Sequence, residues 1–266
     1  MAMTIDQIID YVARTEGGRP KRVHDGRSGP DAPYDAWNAD DAGAGVSFGC
    51  IQFNQAGGRK AADGRGSPLA LLFKTMAKRE PGKWATIMGD YADKLTDEQW
   101  VKRADLNVPD IKNRILLTAR DPDFQRAQRE QARLQYFDPA RKIAEAQGIK
   151  SERGLAMLFD ASVQMGPPGA SRAMSNARKA APNADEAGLL ASFATTADAQ
   201  AGGGTTRRRR MLADPAFSDA PPSFDARAAL VAAADDVGDE GFALLGVLGA
   251  AVLLGGGYWW WKRRQR

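Results

Sequence analysis

A chain of 266 residues, 26% charged and 43% hydrophobic, has room for one sizeable folded domain plus additional segments. Its formal charge of +4 and isoelectric point near 9.2 suit an anionic polymer or surface as partner, such as cell wall, membrane or nucleic acid. A single cysteine excludes an internal disulfide, and a single histidine argues against a zinc site, so neither metal nor cofactor is expected.

The chain opens with Met1-Ala2-Met3 and shows no signal-peptide pattern before its first helix. Thr4 and Gln7 form a capping box, and Ile5, Ile8, Ile9 and Val12 recur at helical spacing. Gly17-Gly18 supplies the stop, which puts Glu16 in the last turn. The helix dipole disfavours a negative charge there, so the carboxylate is solvated, paired, or held protonated for use as an acid. The following stretch from Tyr34 to Gln55 carries Asp40 and Asp41, then glycines at 43, 45 and 49 that suit a tight β-hairpin. A glutamate at a helix end, followed by a hairpin with a second acid, is how glycosidases set two carboxylates across a sugar linkage. Tyr34, Trp37, Gln52 and Asn54 are candidates for sugar contacts by stacking and hydrogen bonding, or equally packing and turn residues.

Two decoys fall away. Gly45-x-Ser47-x-Gly49 has the nucleophile-elbow spacing, but the residues after Ser47 are strand-like rather than helical, and His24 precedes the serine. Cys50 reads as a small packing residue rather than a reactive thiol.

Beyond a glycine-rich basic loop at residues 57–66, Ser67-Pro68 opens a helix with Leu69, Leu72, Phe73 and Met76 on one face. A second helix is expected over Lys83 to Leu95. Thr96 with Gln99 reads as a capping box opening a third through Trp100, and Ile111 to Arg120 forms a fourth. Asp121-Pro122 starts the longest helical run, with a kink or fresh start expected at Asp138 because Pro139 cannot continue the ladder. Ser151 to Met165 is apolar almost all round and belongs in the core, ended by Gly166-Pro-Pro-Gly. Further helices are expected over Ala170–Ala180, Ala184–Ala199 and Thr205–Leu212.

Several of these segments resemble a known family. Thr-Glu16-Gly-Gly followed by Ser47-Phe-Gly-Cys-Ile-Gln52-Phe resembles the lysozyme superfamily. Phe124-Gln-x-Ala-Gln128, Tyr136-Phe-Asp-Pro-Ala140 and Leu158-Phe-Asp160-Ala-x-Val-x-Met-Gly-Pro167 resemble the chitosanases of glycoside hydrolase family 46. The resemblance runs over roughly residues 4–213. It implies a mainly α, α+β lysozyme-like fold with two helical lobes, a small β-hairpin and a long kinked central helix. Glu16 would then be the general acid. The family's water-activating aspartate aligns with Ala42, leaving Asp41 one residue early, Asp40 two, and Ser47 where members have a water-positioning threonine. The resemblance also implies an acid–arginine network behind the glutamate, with Asp160 paired to one or two of Arg207, Arg208, Arg209 and Arg210; the bland reading of that run is a solvated basic face.

The C-terminal end adds a second theme. Residues 1–214 form the expected domain and 215–240 an Ala/Pro/Asp-rich linker. Residues 241–261 are uncharged and long enough to span a bilayer, end in a Tyr258-Trp-Trp-Trp261 cluster, and precede a basic tail at 262–266. This pattern predicts a single-pass transmembrane helix, with the catalytic domain facing the cell wall. Export then takes late tail insertion, lysis-associated release or delivery by a phage or injection particle. Gly246 and Ala250 suit helix–helix self-association in the membrane. Together these favour peptidoglycan as the polysaccharide partner and no nucleic acid. Chitosan, a single-glutamate lytic transglycosylase, and a non-catalytic wall-binding or particle-assembly protein are the alternatives.

Overall fold

The computed structural model describes residues 3–17, 33–40, 43–56, 66–202 and 206–221, and for residues 15–17 the backbone alone. Helix α1 (Ile5–Gly17) begins as its capping box dictates: Thr4 N–H donates to Gln7 Oε1 and Gln7 N–H to Thr4 Oγ1, at 2.8 and 3.2 Å. Its apolar stripe of Ile8, Ile9, Val12 and Ala13 is fully buried. Three two-residue strands follow, β1 (Trp37–Asn38), β2 (Ser47–Phe48) and β3 (Phe53–Asn54), in an antiparallel sheet of order β1-β2-β3. The expected hairpin is therefore a three-stranded meander.

Helix α2 (Pro68–Arg79) is capped by Ser67 Oγ, which accepts Ala70 N–H at 3.0 Å, and buries Leu69, Leu72, Phe73 and Met76. The single helix expected over Lys83 to Leu95 is instead divided. Helix α3 (Pro81–Met88) ends where Gly89 leaves helical conformation at φ 54, ψ −128, a 3₁₀ turn covers Gly89–Tyr91, and α4 (Ala92–Thr96) resumes. Helix α5 (Glu98–Val101) is capped by Asp97, not Thr96. The Thr96 hydroxyl turns back to donate to Asp93 C=O at 2.8 Å, leaving the Asp97 carboxylate to accept Gln99 and Trp100 N–H. Helix α6 spans Pro109–Thr118.

The longest run opens at Asp121, whose Oδ1 accepts Asp123 N–H at 2.8 Å. Helix α7 (Pro122–Ala132) passes through a π-helical turn (Arg133–Phe137) into α8 (Asp138–Gln147). The fresh start expected at Asp138 is where α8 begins; Asp138 itself is helical at φ −62, ψ −40, and the irregularity takes the form of the π turn just before it. A proline ring clashes with the carbonyl four residues back and offers it no N–H. The widened π turn absorbs both effects before Pro139 is reached.

Helix α9 (Glu152–Ala180) is two helical segments meeting at Gly166, φ 71 and ψ 157, as the Gly-Pro-Pro-Gly run predicts. Helices α10 (Glu186–Gln200) and α11 (Arg207–Ala213) complete the fold. One group of elements packs around α2, with α3, α4, α5, α7 and β3; Trp84 sits at its centre, tilted against Phe73 and edge-on to Phe124. The other packs around α9, with α1, α8, α10 and α11, and joins the π turn through Phe137 against Phe159. The α7–π–α8 run threads both groups, which belong to one compact unit over Met1–Pro222.

Residues 214–221 continue past the expected domain boundary at 214 and pack on the fold. Phe217 is buried edge-on against Tyr11, at 4.5 Å between ring centroids. Arg153 donates to the carbonyls of Met211, Leu212, Asp214 and Phe217, and buried Glu152 accepts N–H from both Met3 and Ser218. Among the described residues no helix is long and apolar enough to cross a membrane. The span expected at 241–261, the tail at 262–266 and most of the linker lie outside the described residues.

Candidate active site

Helix α1 carries Glu16 in its last turn. Its side chain lies outside the described residues, as does the whole of Asp41. Asp40 is exposed in the β1–β2 loop, where its Oδ1 accepts Gly43 N–H at 3.3 Å and its own N–H donates to Asn38 Oδ1. Asp40 is thus a loop-closing residue.

The register of the sheet sorts its side chains. Asn38 faces Ser47 and Ser47 faces Asn54, while Trp37 faces Phe48 and Phe48 faces Phe53. Directly paired residues share one face of a sheet. One face is therefore a polar row, Asn38–Ser47–Asn54, and the other is apolar. Ser47 is fully buried at the centre of the row, with Asn38 and Asn54 less deeply buried beside it. Sequence reasoning missed Asn38; pairing it with Ser47 required the register, which residue types in such short strands do not announce.

The remaining sugar-contact candidates separate by burial. Tyr34 is buried, its hydroxyl donating to Asp10 Oδ1 at 2.8 Å and accepting from Arg129, whose guanidinium lies over the ring. It is a packing and hydrogen-bonding residue rather than an open stacking platform. Burial, then the Asp10 carboxylate, push its phenol pKa upward. Gln52 holds a left-handed backbone at φ 58 and spends its amide on Ala36 and Gly49 carbonyls, which closes the β2–β3 turn rather than reaching a ligand. Trp37 is half-buried, donates its indole N–H to Asn107 at 3.2 Å, and carries Lys112 over its ring at 5.6 Å. Cys50 is fully buried, and burial pushes its thiol up to about 12, as expected of a packing residue.

The acid–arginine network is built from α9, α10 and α11. Asp160, fully buried on α9, pairs with Arg207 Nη2 at 2.6 Å and Arg208 Nη2 at 3.1 Å. Arg208 is also fully buried, and its Nη1 meets Asp198 on α10 at 2.9 Å while Nη2 donates to Gln164 Oε1. Arg209 stands half-exposed, 3.7 Å from Asp198, and Arg210 is exposed. Two of the four arginines point inward, as helical spacing requires. The sequence reading missed Asp198 and Gln164. Asp198 falls four residues after Ala194 and eight after Leu190, both buried, so the periodicity of α10 was the available signal. Helix α1 packs against α9, the helix that carries Asp160; burial, then Asp214, then the charge of Asp160 raise the pKa of Tyr11 on α1.

Residues 104–210, from the approach to α6 into α11, match the model of glycosyl hydrolase family 46. Chitosanase OU01, solved with substrate, superposes at TM-score 0.58 with 20% identity, covering 83% of this chain and 93% of that one. The native chitosanase of Bacillus subtilis MY002 gives 0.55 and 16% over 78% and 82%. The Gynuella sunshinyii family 46 chitosanase with chitotetraose gives 0.51 and 17% over 78% and 80%. No curated protein sequence matches the chain. The chain thus shares the fold of these chitosanases, and its segment 104–210 is similar to glycosyl hydrolase family 46.

Proposed function

We propose that the protein hydrolyses a β-1,4-linked glucosamine polymer of the chitosan type. The observation that carries this reading is the family 46 match over residues 104–210, which contains the buried Asp160–Arg208–Asp198 network, on a fold shared with substrate-bound chitosanases. Glu16, on the helix packed against α9, is the general acid that protonates the glycosidic oxygen. Asp41 is the base that activates water, with Asp40 the alternative one residue earlier. Ser47 helps orient that water.

Peptidoglycan is the second reading. A net charge of +4 and Lys112 over Trp37 near the sheet favour an anionic polymer over a cationic one. On that reading the apolar stretch at 241–261 tethers the domain to a membrane facing the wall.

One assay separates these readings. Purified chitosan and purified peptidoglycan are digested side by side and the products analysed for reducing ends and anhydro sugars. Reducing ends from chitosan alone support the proposal. Reducing ends from peptidoglycan alone transfer the activity to the wall, anhydro sugars indicate a transglycosylase, and no product from either polymer leaves a binding or assembly protein.

A further inference from the structure

We propose that Gln128 is a positioning residue that sets the Ser47 strand relative to the helix carrying Glu16. The proposal rests on the roles given above to those two residues. Gln128 lies on α7 and is fully buried. Its Oε1 accepts Cys50 N–H at 2.8 Å, three residues along the chain from Ser47, and its Nε2 donates to Tyr34 C=O at 3.2 Å. Tyr34 in turn donates its hydroxyl to Asp10 on α1 at 2.8 Å, and Arg129, the next residue on α7, donates to the same hydroxyl. A continuous polar chain therefore runs from α1 through Tyr34 and Gln128 to the β2–β3 turn.

An amide offers an acceptor and a donor side by side without charge at any pH, which these two backbone partners require. The approach is so close that a Cβ at Gly49, already at φ +88, would stand 2.6 Å from Gln128 Oε1. On its other side the meander is held by Gln55. Its Oε1 accepts Val46 N–H at 3.0 Å while Nε2 donates to Val101 and Ala104 carbonyls. Two glutamines thus fix β2 at both ends, and of the two it is Gln128 that also reaches toward α1. Catalysis by separated groups tolerates little misplacement, since a shift of about 1 Å costs about a hundredfold in rate. The chain gives a reason why a buried polar residue sits in a helix face shared with Phe124, Ala127 and Ala132.

The test compares wild type with Gln128→Met, which keeps the volume and removes both hydrogen bonds, on whichever of chitosan and peptidoglycan the wild type cleaves. The expected result is a kcat at least about tenfold lower with KM within about twofold, in protein that still unfolds cooperatively. Amide hydrogen exchange should rise both at Cys50 and in the last turn of α1. A folded variant with wild-type kcat, or with exchange changed at Cys50 alone, overturns the proposal. A purely structural role would lower stability and leave the kcat of the folded fraction unchanged. If the methionine variant fails to fold, Gln128→Asn keeps the amide but is one methylene too short to reach both Cys50 N–H and Tyr34 C=O; a fall in kcat supports the proposal and none overturns it. Should the wild type cleave neither polymer, the glycosidase reading fails, and the two-site exchange pattern alone decides the positioning claim.

Discussion

Arg208 is the largest side chain buried completely among the described residues, and it is a cation. Removing a guanidinium from water costs several kcal/mol, offset here by Asp160, Asp198 and Gln164. Arg208→Leu strips the shared partner from two buried carboxylates, so we expect a loss of about 3–5 kcal/mol in urea unfolding. A loss under about 1 kcal/mol would show that Arg207 and Arg209 take over the pairing. The tyrosines give a second expectation. Tyr11 and Tyr34 are both held protonated, first by burial and then by hydrogen bonds to Asp214 and Asp10. The folded state binds these protons more tightly than the unfolded chain does. Their contribution is therefore full below the ordinary tyrosine pKa of 10 and is lost as pH rises beyond it. The urea midpoint should fall from about pH 9 to about pH 11, and fall less in the Tyr11→Phe/Tyr34→Phe double variant. Of these residues Asp160 was legible in the sequence, because a carboxylate in an all-apolar helix needs a partner. Asp198 was legible only through its spacing from Leu190 and Ala194, and Asp10 was not, because an acid on an amphipathic helix reads as solvated until its neighbours are known.

At the level of elements, the punctuation was the most legible part of the chain. Ser67-Pro68, Asp121-Pro122 and the Thr4–Gln7 box all start helices where their chemistry requires. Thr96 misled because a threonine beside an aspartate competes for the same cap, and the carboxylate won. The bend in the central run was legible from Pro139, but its form was not, since a π turn one turn earlier relieves the same clash. Gly166 offers a direct check. Its φ of 71 and ψ of 157 are open to glycine and strained for other residues. Gly166→Ala should cost about 1–3 kcal/mol and leave the helical circular dichroism nearly unchanged, because the two halves of α9 are each held by their own packing. A neutral result would mean the break belongs to Pro167-Pro168 alone. The three-stranded meander was half legible: glycines 43, 45 and 49 marked its turns, while two-residue strands carry too little alternation to reveal a third.

For the molecule as a whole, the sequence carried the architecture further than the chemistry. The order of the motifs implied a mainly helical fold with a small sheet and an interrupted central run, and those features are present. The domain's end was less visible, because 214–221 has the composition of a linker yet is anchored by Arg153 and Phe217. That strap ties α9 to Tyr11 on α1, so the helix carrying Glu16 is braced at this point by chain from far along the sequence. The account turns on Glu16 acting as an acid toward a glycosidic oxygen. Its most direct test measures polymer binding and product release together for wild type and Glu16→Gln, which keeps the size and removes the titrating proton. The account predicts binding within severalfold of wild type and turnover lower by about a hundredfold or more. Product release unchanged by the substitution would contradict it.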